Sequence, residues 1–149
     1  MQSNNEVVIK GRVEQVFDLV TQVRFWPRWH LATRAVSGVT ERPFQPGDVF
    51  YEFVRTSDGA REIEWQVADY ERPCRASIQL KGSSLKITYT FEAHEGGTLF
   101  RRTLERGADV GISLGSGDSA AQDVERRSVQ NLVGLVERLV ECEAVGPRF

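Results

Sequence analysis

Arg102 lies between Phe100 and Leu104 in a run of alternating residues from Thr98 to Arg106. If Phe100 and Leu104 face inward, a period of two sends Arg102 the same way. A buried guanidinium is costly unless it is paired. Its partner is then an acid such as Asp69 or Glu52, or an anionic or enolate-like group on a bound molecule. The alternatives are a bulge that turns Arg102 outward, or the opposite phase, with Arg101, Thr103 and Glu105 inside. His30 follows Trp26-Pro27-Arg28-Trp29, and imidazole is the side chain best suited to moving protons at neutral pH. No Ser, Cys or acid stands at a spacing that fixes a triad with it, and an exposed cap or a core histidine is the plainer role. His94, beside the turn Glu95-Gly96-Gly97, reads as surface. Alternation sends Tyr51 and Tyr89 inward, where a phenol needs a partner: a ligand carbonyl or a water. Arg102, His30 and Tyr89 are the catalytic candidates, if the protein is a catalyst at all.

Composition removes several other chemistries. The two histidines are too few and too far apart for a local metal motif, and no zinc spacing occurs, so neither metal nor cofactor is expected. Cys74 and Cys142 permit one disulfide but form no framework, and they read as small buried hydrophobes in a reducing compartment. The net charge of −2 gives no electrostatic reason to expect nucleic acid. The start of the chain lacks a basic, apolar leader, and no run approaches the ~18 apolar residues of a membrane span. A cytoplasmic protein without integral membrane association, monomer or homodimer, is the expectation. Gly107 to Gly117 holds four glycines in eleven residues. It lacks the preceding parallel strand and the Lys-Ser/Thr of a phosphate loop, so it reads as a flexible loop.

The elements that must position these residues follow from periodicity. Val7-Val8-Ile9 marks a strand over 6–10. Val13, Val16, Phe17 and Val20 repeat at i, i+3, i+4 and i+7 and predict a helix of about two turns. Trp26-Pro27-Arg28-Trp29 predicts a second short helix with Pro27 in its first turn. Neither is stable alone, so each must pack on something. Strands are then expected over 34–42, 49–55, 62–70, 74–81, 85–93 and 98–106, separated by turns at 43–48, 57–59, 71–73, 82–84 and 95–97. Ile63, Trp65 and Val67 share one face, as do Ala76, Ile78 and Leu80, and Ile87, Tyr89 and Phe91. This is the pattern of an antiparallel meander with one wet face. Residues 118–145 predict one long amphipathic helix, capped by Asp118 or Ser119 and ended by Gly146-Pro147. Val124, Leu132, Leu135, Val136 and Leu139 form its apolar stripe, with Glu125, Arg126, Arg127, Glu137, Arg138 and Glu141 opposite. The chain reads as one domain, 1–149, in which a curved sheet closed by a helix leaves a hollow for three Trp and three Tyr to line.

Several segments together carry a resemblance. They are Val16-Phe17, Trp26-Pro27-Arg28-Trp29, Pro46-Gly47-Asp48-Val49-Phe50, Trp65-Gln66-Val67 with Glu71-Arg72-Pro73, Tyr89-Thr90-Phe91-Glu92, Gly96-Gly97-Thr98, and Ser128-Val129-Gln130-Asn131-Leu132 with Leu135-Val136-Glu137. In this order they resemble the START-like SRPBCC superfamily, in particular its polyketide cyclase/dehydrase and lipid-transport branch. Two places depart from it: Gly11-Arg12 stands where a proline-containing entry is usual, and Gln22-Val23-Arg24 where an acid commonly precedes Trp-Pro.

The resemblance implies an α+β helix-grip fold. It has a curved antiparallel sheet of about seven strands, two short helices after the first, a long C-terminal helix across the sheet, and an internal cavity. It puts Trp26 and Trp29 at the mouth and Tyr51, Phe53, Trp65, Ile78, Tyr89, Phe91, Phe100, Arg102, Leu132 and Val136 around the interior. Core packing competes with ligand contact for each Trp. Three functions are implied. One is binding of a small hydrophobic ligand of lipid, polyketide or aromatic type, gated by the 107–117 loop. Another is a polyketide cyclase/dehydratase-like enzyme in which Arg102, a Tyr and His30 polarise carbonyls or move protons. The last is a protein-interaction module of the same fold. An enzyme needs at least two convergent polar groups in its interior, whereas an interaction module needs a filled interior and an exposed apolar patch.

Overall fold

The computed structural model describes residues 2–38, 42–56, 59–105 and 117–145, with side chains over 4–38, 42–55, 59–105 and 123–139. The elements run β1 (Gln2–Ile9), α1 (Val13–Val20), a 3-10 turn (Val23–Phe25) leading into α2 (Trp26–Trp29), β2 (Thr33–Gly38), β3 (Val49–Thr56), β4 (Gly59–Glu71), β5 (Arg75–Leu80), β6 (Lys86–His94), β7 (Gly97–Glu105) and α3 (Gly117–Val145). The strands form one curled antiparallel sheet in the order β1-β7-β6-β5-β4-β3-β2. Strands β2 to β7 are the expected meander, and β1 alone leaves sequence order to pair with β7. Helix α3 packs on β1, α1 and α2.

Strand β1 begins at Gln2, earlier than its apolar residues indicate. Its polar half is held by cross-strand side chains: the Thr103 hydroxyl donates to Asn4 Oδ1 at 2.7 Å, and Arg101 pairs with Glu6 at 2.8 Å. Each couple sits directly opposite in the β1–β7 register, where such pairs support a sheet edge. The far end of β1 closes on Gly97. A Cβ there would lie 2.1 Å from the Ile9 carbonyl oxygen, and φ is +147°, so only glycine fits.

Strand β2 is described over Thr33–Gly38; residues 39–41 of the expected strand lie outside the described residues, and Arg42 is not part of a strand. Between Thr33 and Ala35 its pairing with β3 slips by one residue. That bulge absorbs Arg34 and lets Thr33, opposite Val54, share the inner face with Val36, opposite Glu52. The phase of β3 is the reverse of the one expected. Phe50, Glu52 and Val54 are buried, while Tyr51 is half-buried and Phe53 is 39% exposed. The physical reason is the pairing with β4. Phe50 stands opposite Trp65 and Glu52 opposite Ile63, and residues directly opposite in an antiparallel pair share a face. A carboxylate on the inner face makes that phase look unfavourable in sequence, but Glu52 is fully partnered there.

The inner residues of β4, β5 and β6 lie as alternation places them, with Ile63, Trp65, Val67, Ala76, Ile78, Leu80, Ile87, Tyr89 and Phe91 all buried. Helix α1 buries Val16, Phe17, Leu19 and Val20, and Phe17 meets Tyr70 and Phe91 edge-on at 5.5 and 5.0 Å. Cys74 is exposed rather than buried, in the tight turn between β4 and β5. The Asp118 and Ser119 positions fall inside the first turn of α3, not ahead of it. The 107–117 loop up to residue 116, the turn residues 57 and 58, the Gly146-Pro147 stop and the Cys142 side chain lie outside the described residues.

Candidate functional site

Helix α2 is only four residues long, and its surroundings hold it. The Trp26 indole donates to the Val20 carbonyl at 2.8 Å, which ties α2 to the end of α1. Polar residues of α3 grip the other side. Ser128 Oγ accepts from the Leu31 backbone N–H at 2.9 Å, and the Asn131 amide reaches the Trp29 carbonyl at 3.5 Å. The segment 26–31 is thus clamped between α1 and α3, which brings Trp26, Trp29 and His30 against the inner face of the sheet.

The interior they enter is aromatic. Trp26 meets Phe50 at 5.3 Å, Trp29 at 6.3 Å and Tyr89 at 6.2 Å. Tyr89 stacks on Phe100 at 6.2 Å, and Phe100 touches Phe91 at 5.3 Å. Trp26, Trp29, Trp65, Ile78, Tyr89, Phe91, Phe100, Leu132 and Val136 are all buried here. Tyr51 and Phe53 lie on the other face of β3.

Through this apolar setting runs a chain of buried polar groups. Arg102 faces inward with Phe100 and Leu104 and is 5% exposed. Its partner is neither Asp69 nor Glu52 but Glu125 of α3, which accepts from Arg102 Nη1. The other oxygen of Glu125 meets His30 Nε2 at 3.3 Å. His30 Nδ1 contacts Thr33 Oγ1 at 3.1 Å, and the Thr33 hydroxyl bonds Glu52 Oε2. The remaining oxygen of Glu52 accepts from Trp65 Nε1 at 2.9 Å. Asp69 lies on the outer side, bound to Lys86 and Ser77.

Burial alone would raise the Glu125 carboxyl, but the charges of Arg102 and His30 outweigh it and hold the group well below the usual carboxylate range. Burial pushes the Tyr89 phenol above its ordinary value, with Arg102 opposite it opposing the shift. Glu125 is therefore ionised and Tyr89 protonated at neutral pH. Two buried donors hold no hydrogen-bond partner among the described residues: Trp29 Nε1 and Arg102 Nε. Buried N–H groups are rarely left this way; one belongs to Trp29, the chain neighbour of His30, and the other to Arg102, the partner of Glu125.

Besides Tyr51 and Phe53, sequence reasoning misplaced Glu125, by assigning it to the wet face of α3. The signal was present: Glu125 precedes Val129 by four residues and Leu132 by seven, the spacing of one helix face. Thr33 left no signal, because the bulge that turns it inward has no mark in sequence. Among the described residues no group of three or more His, Cys, Asp or Glu is placed to hold a metal. No helix there is long and apolar enough to cross a membrane.

Solved structures share this architecture at low identity. Protein MLL2253 from Mesorhizobium loti superposes with a TM-score of 0.68 at 15% identity, over 93% of this chain and 98% of that one. The Aha1 dimer from Colwellia psychrerythraea gives 0.61 at 17%, over 92% and 94%. DynU16, a protein of the dynemicin biosynthetic locus, gives 0.65 at 16%, over 91% of this chain and 47% of its own. These likenesses concern the fold. No curated protein sequence matches the chain. The family model described as polyketide cyclase / dehydrase and lipid transport matches residues 2–140, and the chain belongs to that family.

Proposed function

We propose that the protein binds a small hydrophobic molecule of lipid, polyketide or aromatic type between the sheet and α3, and holds it by an oxygen atom. The observation that carries this reading is the pair of buried, unpartnered donors, Trp29 Nε1 and Arg102 Nε, within an aromatic interior. Apolar walls with a few fixed polar groups are the usual composition of a small-molecule site. A ligand carbonyl, phenolate or carboxylate would supply the acceptor that these donors lack. The family description, polyketide cyclase / dehydrase and lipid transport, supports a ligand of this kind.

Tryptophan-fluorescence titration tests it, with 1,8-dihydroxyanthraquinone as an oxygen-bearing probe and anthracene as its bare counterpart. Saturable quenching by the first and weaker quenching by the second are expected. Trp29→Phe keeps the ring packing and removes one N–H, and should weaken binding roughly tenfold, the loss of one buried hydrogen bond. Equal response to both probes, or unchanged affinity in Trp29→Phe, contradicts the reading.

A specific observation favours a cyclase- or dehydratase-like activity as the second reading. His30 sits between two carboxylates, Glu125 directly and Glu52 through Thr33. That arrangement exceeds what a carrier requires. The interaction-module reading has less support, since the exposed large hydrophobics among the described residues, Val8 on β1, Leu31 just after α2 and Phe53 on β3, do not share one element, and β1 and β3 stand near opposite ends of the strand order.

A further inference from the structure

We propose that Glu52, Thr33 and His30 form a one-proton relay, the acid–base unit of the site, which suits it to ligands that themselves exchange a proton, such as an enolisable carbonyl compound or a phenol. The choice of ligand class rests on the binding reading above; the relay itself does not.

The Thr33 hydroxyl carries a single hydrogen. Thr33 Oγ1 touches two groups, His30 Nδ1 and Glu52 Oε2. One proton cannot serve both contacts, so one neighbour must donate to the hydroxyl oxygen. Two complete patterns exist. In the first, His30 Nδ1–H donates to Thr33, and the Thr33 hydroxyl donates to an ionised Glu52. In the second, a protonated Glu52 donates to Thr33, and the Thr33 hydroxyl donates to a bare Nδ1. They interconvert by two short proton movements in the same direction: the Nδ1–H bond breaks as a bond to Thr33 oxygen forms, and the Thr33 O–H breaks as a bond to Glu52 Oε2 forms. The net change is one proton passed from His30 to Glu52, with no other reactant.

The surroundings accommodate both patterns. Nε2–H of His30 faces Glu125 Oε1 in each, and Glu52 Oε1 accepts from Trp65 in each. No hydrogen bond is lost in the exchange, so neither pattern leaves a buried polar group of the chain unpaired. Among the described residues, the charged and titratable groups around the imidazole are Glu125 of α3, Arg102 of β7 on the far side of Glu125, Glu52 of β3, and Tyr89 of β6 opposite Arg102. Both ends of the relay are buried, His30 at 7% and Glu52 at 4% exposed.

Nitrogen-15 NMR of the imidazole rings tests the relay without a ligand. The chain has two histidines, and the exposed His94 serves as the internal control. In the native protein the His30 Nδ1 resonance should lie between the protonated and bare positions, and Thr33→Ser should leave it there. Thr33→Val and Glu52→Gln should each move it to one limit and leave His94 unchanged. Adding 1,8-dihydroxyanthraquinone should move the Nδ1 resonance in the native protein and not in Thr33→Val. Backbone amide spectra establish that each variant is folded, and if Thr33→Val is not, Glu52→Gln carries the comparison. The relay is overturned if folded Thr33→Val or Glu52→Gln keeps the native Nδ1 resonance, or if Thr33→Ser disturbs it as much. Probe binding with an unmoved Nδ1 would overturn the relay and leave the binding reading intact.

Discussion

Glu125 on the last helix and Arg102 on the last strand are paired with side chains only 14% and 6% exposed. This contact fastens α3 to the sheet at the point where His30 also arrives. Removing one member of a buried pair leaves the other uncompensated, which costs about 3–5 kcal/mol. Glu125→Ala should therefore lower the urea-unfolding free energy by that much. Replacing both together, as Arg102→Met with Glu125→Leu, should recover most of it, because a buried pair is often replaceable by apolar groups of similar volume. A double variant as unstable as Glu125→Ala would show that the pair is not the cause.

The same pair sets an acid limit. A carboxyl whose folded-state pKa is depressed contributes its stability in full above its ordinary value, near 4.5 for Glu125, and loses it as the pH falls toward the folded value. Urea midpoints should thus hold between pH 7 and about 5 and fall increasingly below pH 4.5. Glu125→Gln should flatten that fall while starting from a lower midpoint at pH 7. A parallel decline in both proteins would assign acid sensitivity to other carboxylates.

The reversed phase of β3 makes a sharp comparison. Phe50 is fully buried and Phe53 is 39% exposed. Phe50→Ala should cost about 3–5 kcal/mol, and Phe53→Ser should stay within roughly 0.5 kcal/mol of native. Chemical denaturation of the two variants checks this directly, and equal losses would contradict the phase.

Gly97 offers a backbone test. A Cβ there meets the Ile9 carbonyl at 2.1 Å, so Gly97→Ala must part β1 from the β6–β7 hairpin. A loss of about 2 kcal/mol or more is expected, seen as a lowered thermal midpoint. An unchanged midpoint would mean that the close approach is not needed.

Most of the architecture was legible because its signals are periodic. Ile63-Trp65-Val67 and Ile87-Tyr89-Phe91 alternate against charged neighbours, and the i, i+3, i+4 pattern of α1 is unbroken. The inward turn of Arg102 follows from the same alternation. Glu52 and Glu125 were harder, for one reason. A sequence reading places acids outside by default, and both of these are inside because partners distant in sequence satisfy them: Trp65 and Thr33 for the first, Arg102 and His30 for the second. Partner geometry of that kind is a property of the closed fold. Val49-Phe50-Tyr51-Glu52-Phe53-Val54 is apolar on both faces but for one glutamate, so periodicity favoured the wrong one. Thr33 depends on a one-residue slip in β2, which composition does not encode.

Native mass spectrometry of freshly expressed protein tests the proposed binding of a ligand most directly, with native and Trp29→Phe chains compared under identical gentle conditions. A co-purifying species of a few hundred daltons, carrying a carbonyl, phenol or carboxylate and depleted in Trp29→Phe, is the predicted result. Only the bare chain mass, together with no saturable response to 1,8-dihydroxyanthraquinone, would contradict it.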